Sequence, residues 1–176
     1  TRKESSAASD VYKRQVSVEP PMFVDVVNVT SAADMADVVK SKAAEQDIII
    51  MTAAVADFCP SHPADEKIKK NDSSYESVIE LERTEDILSY LGAHKAKGQL
   101  ICGFSMETQN MLENSKAKLA KKNADMIVAN NLKVAGAGFG TDTNVVTLIT
   151  ADDCTELEIM DKSCVAARIM DRLLQM

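Results

Sequence analysis

Residues 99–132, "QLICGFSMETQNMLENSKAKLAKKNADMIVANNL", hold two strand-length apolar runs around one helix-patterned segment. "QLICGFSME" and "ADMIVANNL" are near-continuous apolar stretches, as strands buried on both faces should be. The intervening "TQNMLENSKAKLAKKN" reads as a helix. Strand, helix and strand in this order form a parallel pair joined by a crossover.

The alternation extends in both directions. Upstream, "FVDVVNV" (23–29) is rich in strand formers, and "TSAADMADVVKSKAAEQ" follows as a helix with Thr30 or Ser31 at its cap and apolar Met35, Val38 and Val39. "DIIIMTAAV" (47–55) is expected to be a strand buried on both faces, and "SVIELER" (77–83) another strand. "TEDILSYLGAHKAKG" reads as a helix capped by Thr84 and closed by Gly98. Downstream, "NVVTLIT" and "CTELEIM", joined by "ADD", form an antiparallel hairpin at a sheet edge, and "DKSCVAARIMDRLLQM" is a final helix. The fold class is therefore α/β: a Rossmann-like three-layer α/β/α sandwich with a mostly parallel sheet and an antiparallel edge hairpin near the C-terminus.

Composition narrows the classes. A chain of 176 residues with 45% hydrophobic residues can bury one substantial core, which must be aliphatic because Trp is absent and aromatics are 4%. A net charge of −7 argues against a general nucleic-acid binder, while leaving room for a local basic patch that takes a small anion. No apolar run approaches the roughly 20 residues of a membrane span, and a cytoplasmic protein is expected. Cys59, Cys102, Cys154 and Cys164 form no C-x-x-C pair, make no zinc spacing with His62 and His94, and are expected to be buried small hydrophobes. Residues 1–21 lack periodicity and are expected to be an unstructured, non-native tail; "SSAASDVYKRQ" resembles translated adapter strings.

Ligands of parallel α/β sheets collect at the carboxyl ends of the strands. That rule singles out Asp57, Phe104 with Glu107, and Asn130 with Asn131. Asp57 could accept hydrogen bonds from a base or ribose, help place a metal, or simply cap a turn. Lys67, Lys69 and Lys70 in "EKIKK" could close over a triphosphate or form a solvated face. Lys118 and Lys122 stand four apart on one helix face, suited to clamping phosphates or to the negative end of the helix dipole. "GAGFG" (136–140) precedes a strand rather than a helix, so it reads as a loop near the site and not as a dinucleotide fingerprint.

Taken in order, "AAVADF", "EKIKK" ten residues after Asp57, "GFSMET", "KLAKKNADMIVAN" and "GFGTDTNVV" resemble the phosphopantothenate–cysteine ligase family of coenzyme A biosynthesis. The resemblance covers residues 22–176. It implies ligation of 4'-phosphopantothenate with L-cysteine, driven by CTP through an acyl-cytidylate, with Mg²⁺, in a homodimer. By the same resemblance Asp57 belongs to the nucleotide site, Lys67 is the catalytic lysine of a closing flap and also contacts the nucleotide, Phe104 lines the base pocket, and Lys118 and Lys122 bind the phosphates. Metal ligands are left unassigned. FMN would belong only to a decarboxylase half preceding this domain.

The family pattern also includes an earlier strand and a Gly/Ser/Asn-rich loop, which residues 1–21 do not match. "RTED" (83–86) has Glu85 where the family usually has Pro. The chain is accordingly expected to be a truncated ligase domain, weakly active or inactive alone. Two other readings are a non-catalytic nucleotide-binding module and an NAD(P)-dependent oxidoreductase of Rossmann-like fold, the latter disfavoured by the absence of G-x-G-x-x-G between a strand and a helix.

Overall fold

The computed structural model describes residues 10–13, 19–20, 22–64, 66, 78–107, 110–131 and 141–176. The chain divides into two compact units, Thr1–Val39 with Val55–Asp86, and Lys40–Ala54 with Ile87–Met176.

In the first unit, β1 (Asp10–Lys13) pairs in parallel with β2 (Asp25–Asn28), Val11 opposite Val26. The expectation that residues 1–21 are unstructured therefore fails over Asp10–Lys13. Val and Tyr at positions 11 and 12 favour extended backbone, and β2 offers an edge on which that preference is satisfied. The helix α1 (Ala32–Lys42) begins where Thr30 and Ser31 predict. Asp34 closes its start: its carboxylate accepts from the Thr30 hydroxyl at 2.6 Å and the Ser31 N–H at 2.9 Å, while its own N–H donates to Ser31 Oγ at 3.0 Å. This is a reciprocal capping box.

Those donors, the Thr30 hydroxyl foremost, pull the Asp34 carboxyl from 3.8 to about 2. A depressed carboxylate stabilises above its unfolded value and loses that contribution as pH falls through its folded one. The melting-temperature advantage of the parent over Asp34→Asn should thus be constant above pH 3.8 and disappear by about pH 2. An advantage that persisted unchanged to pH 2 would show that the charge plays no part in the cap.

Also in this unit, β4 (Phe58–Pro60) pairs antiparallel with β5 (Leu81–Arg83), Phe58 opposite Arg83. The expected strand over 77–83 is thus shorter and belongs to a two-stranded ribbon. All three of its side chains are exposed, because strand propensity without a face to bury holds little backbone.

The second unit holds a five-stranded sheet of order β10-β9-β7-β6-β3. Its strands are β3 (Ile48–Met51), β6 (Leu100–Glu107), β7 (Met126–Asn131), β9 (Val146–Ile149) and β10 (Cys154–Glu156). β3, β6 and β7 run parallel, with Met51 opposite Gly103 and Cys102 opposite Met126. β9 runs antiparallel to β7, and β10 returns antiparallel to β9, forming the expected edge hairpin. A short pair, β8 (Thr143–Asn144) with β11 (Met160–Asp161), lies outside that sheet.

Three helices cover the sheet: α2 (Ile87–Ala93), α3 (Met111–Lys121) and α4 (Lys162–Leu173). Val165, Ile169 and Leu173 of α4 pack with Cys102, Met126, Val128, Val146 and Leu148 on one face. Alternate residues point the other way. There Ser105 meets Ser115 of α3 through a buried 2.8 Å hydroxyl contact, and Gly103 leaves room for Leu88 of α2, whose Cδ2 would lie 2.7 Å from a Cβ at that position. Helices on both faces make the α/β/α sandwich.

Three local expectations change. The run over 47–55 is paired only over Ile48–Met51, which are half-buried while Thr52, Ala53 and Ala54 are exposed, because among the described residues β3 has a neighbour on one side alone and the alanines at 53 and 54 are weak strand formers. Thr84 does not cap α2, and Gly98 does not close it. The helix ends at Ala93 with the His94 N–H on the Tyr90 and Leu91 carbonyls, while Gly98 takes φ +84° in a separate turn closed by the Gln99 N–H on the Ala96 carbonyl. Of the four cysteines only Cys102 is buried, and Cys154 and Cys164 are exposed. Burial, reinforced by the Asp125 charge, pushes the Cys102 thiol up to about 12, so it behaves as a small hydrophobe.

Candidate functional site

Because β3, β6 and β7 are parallel, their carboxyl ends lie on one side of the sheet. α3 leaves from that side after β6. Its sheet-facing positions are Ser115 and Leu119, both buried, with Lys118 and Lys122 half-buried beside them. Lysine stems on a helix lean toward its N-terminus, which here points both ammonium groups back toward the strand ends.

Lys118 Nζ donates to the Phe104 carbonyl at 2.8 Å. Phe104 directly follows Gly103, the last residue of β6 paired with β3, so the cation sits where the two strands part. Lys122 Nζ donates to Ser89 Oγ of α2 at 2.9 Å. The end of α3 is tightly held. Asn123 takes a left-handed φ of 49°, its N–H reaches the Ala120 carbonyl, and the Ala124 N–H reaches the Leu119 carbonyl, a Schellman closure. Asn123 Nδ2 then donates to the Gly92 carbonyl at 2.8 Å, fastening α3 to α2.

Phe104 is half-buried and packs against the α4-side core, three residues before the end of β6. Next along the sheet, Asn130 Oδ1 accepts from Asn144 Nδ2 at 2.8 Å, and Asn144 Oδ1 in turn accepts from the Val145 N–H at 2.9 Å. Asn144 was invisible to strand-end reasoning because β8 belongs to no strand–helix alternation. Ser115 did carry a signal: a small polar residue on the buried stripe of a helix implies a polar partner.

Asp57 lies in the first unit, exposed, at the bend before β4. Its carbonyl accepts from the Thr84 N–H at 3.0 Å, and the Thr84 hydroxyl donates to the Ala56 carbonyl. Of the residues singled out from sequence, Phe104, Glu107, Lys118, Lys122, Asn130 and Asn131 fall in the second unit and Asp57 in the first. Lys67, Lys69, Lys70 and the "GAGFG" loop lie outside the described residues.

Neutral and cationic donors at the ends of parallel strands suit an anionic ligand with a planar group. Comparison with known proteins bears on which one. The family described as DNA/pantothenate metabolism flavoprotein C-terminal domain matches residues 3–176, a span that includes most of the tail region. The coenzyme A biosynthesis bifunctional protein CoaBC of Bacillus subtilis is 46% identical over 156 residues, covering 88% of this chain and 38% of that protein. A cysteine/cysteine sulfinic acid decarboxylase from an unknown prokaryotic organism is 45% identical over 152 residues, covering 86% of this chain and 42% of that protein. The chain thus spans about two fifths of the length of these relatives.

Among solved structures, the C-terminal domain of a CoaBC protein superposes with a TM-score of 0.76 at 38% identity, covering 96% of this chain and 75% of that one. A Cab2 mutant in complex with phosphopantothenate-cysteine shares the fold at a TM-score of 0.62 and 17% identity, over 87% of this chain and 54% of that one.

Proposed function

The chain belongs to the family of DNA/pantothenate metabolism flavoprotein C-terminal domains, and from that premise we propose that it joins 4'-phosphopantothenate to L-cysteine using CTP. The observation that carries this reading is the pair Lys118 and Lys122, half-buried on the sheet-facing side of α3, with Lys118 Nζ on the Phe104 carbonyl and Lys122 Nζ on Ser89 Oγ. The Cab2 complex, which contains phosphopantothenate-cysteine, supports the choice of product.

In the proposed reaction a carboxylate oxygen of phosphopantothenate attacks the α-phosphorus of CTP, the Pα–O–Pβ bond breaks and pyrophosphate leaves. The cysteine amine then attacks the acyl carbon of the cytidylate, releasing CMP and a proton as the amide forms. Both steps crowd negative charge, which Lys118 and Lys122 would offset at the phosphates. Phe104 would contact the base, and Asp57 would accept from the sugar or base. Mg²⁺ would come with the triphosphate and would offset the phosphate charge there. Lys67, on the flap, would neutralise the transferring group as water is excluded. The chain would work as a cytoplasmic homodimer.

The test is to incubate the chain with 4'-phosphopantothenate, L-cysteine, Mg²⁺ and CTP, following pyrophosphate release and the amide product, with CTP, ATP and NAD compared in thermal-shift titrations. Stabilisation by CTP is expected. Stabilisation by NAD alone would overturn the reading in favour of an oxidoreductase. In a full-length ligase carrying this domain, Lys67→Ala should keep nucleotide affinity within about threefold while slowing turnover about a hundredfold. Normal turnover in that variant would remove Lys67 from the flap role.

A further inference from the structure

We propose that Thr84 is a positioning residue that sets the direction of the Asp57 carboxylate. The inference rests on the reading of Asp57 as part of a nucleotide site. Thr84 was expected to cap α2, yet the helix starts three residues later, at Ile87, and the threonine is used elsewhere.

It makes two hydrogen bonds to consecutive carbonyls. Its N–H donates to the Asp57 carbonyl at 3.0 Å, and its hydroxyl donates to the Ala56 carbonyl. The first continues the β4–β5 ladder one residue past the Phe58–Arg83 pair. The second reaches beyond that ladder and requires the side chain.

Those two carbonyls belong to the peptide groups on either side of the Asp57 α-carbon. Each peptide group is planar, so a residue has only two soft backbone dihedrals. Holding both flanking planes restricts both dihedrals, and with them the direction of the Cα–Cβ bond. Asp57 itself is exposed, whereas Thr84 is half-buried. The β-branched side chain is already stiff about χ1, so little freedom is lost in forming the bond. A valine at position 84 would preserve shape and the N–H bond but lose the hydroxyl.

The experiment measures CTP affinity by calorimetry on the full 176-residue chain, for the parent, Thr84→Val, Thr84→Ser, Asp57→Ala and the Thr84→Val/Asp57→Ala double variant, with melting temperatures alongside. Thr84→Val is expected to weaken CTP binding about tenfold, and Thr84→Ser to stay within about threefold of the parent. On the Asp57→Ala background, Thr84→Val should add less than about twofold, since there is no carboxylate left to aim. Equal losses on both backgrounds would overturn the positioning role in favour of a merely structural one. A tenfold loss in Thr84→Ser would overturn it too, and that outcome can be read even if the valine variant fails to fold. Failure of the parent to bind CTP, or unchanged affinity in Asp57→Ala, would instead overturn the nucleotide-site reading.

Discussion

Gly92→Ala is expected to destabilise the protein by about 3 kcal/mol, from forced overpacking, and to lower its melting temperature by roughly 6–12 °C at this chain length. A Cβ at position 92 would stand 1.8 Å from the Lys122 carbonyl oxygen and 2.8 Å from its carbon. Both atoms are backbone, so no side-chain rotation relieves the clash, and α2 or α3 must move. Movement also breaks the bond from Asn123 Nδ2 to the Gly92 carbonyl. The contrast is Gly103→Ala, where the close atoms are the tips of Leu88 and Ile127, at 2.7 and 3.1 Å, and can rotate. That variant should lose only about 1 kcal/mol. Equal thermal shifts for the two glycines would mean that α2 and α3 are not rigidly apposed.

Lys118→Met should weaken CTP binding by about 2 kcal/mol, roughly thirtyfold, the scale of a lost charge-assisted hydrogen bond. Methionine keeps most of the aliphatic stem that the half-buried lysine packs, so the change removes the cation more than the contact. The fold should suffer less, about 1 kcal/mol, for the lost bond to the Phe104 carbonyl. Lys121→Met, at an exposed position of the same helix, is the control and should stay within about twofold. Equal losses in both variants would assign the effect to the general field of α3. No loss in Lys118→Met would remove Lys118 from the phosphate site.

The helix face carrying Lys118 and Lys122 was legible because helical spacing is local: residues four apart share a side whatever the rest of the chain does. Their partners were not. Ser89 lies 33 residues from Lys122 and Asn144 lies 14 from Asn130, and no periodicity relates such pairs. Thr84 shows the same limit in the opposite direction. Its place before an apolar-periodic segment had the chemistry of a cap, but a hydroxyl donor bonds the acceptor that tertiary structure supplies, here the Ala56 carbonyl, 28 residues away.

Sequence by itself determined the order and type of the longer elements from Ala32 onward, though not the short strands β4, β8 and β11, together with the parallel strand–helix–strand unit around α3, the C-terminal hairpin and the family. These follow from near-neighbour patterning of apolar residues, and tertiary contacts act on that pattern without reversing it. Only the tertiary structure decided where each element stops, that Asp10–Lys13 joins β2, that Gly92 must lack a side chain, and which backbone carbonyls Lys118 and Thr84 hold. Each of these depends on atoms distant in the chain meeting within about 3 Å, and residue order alone carries no such distance.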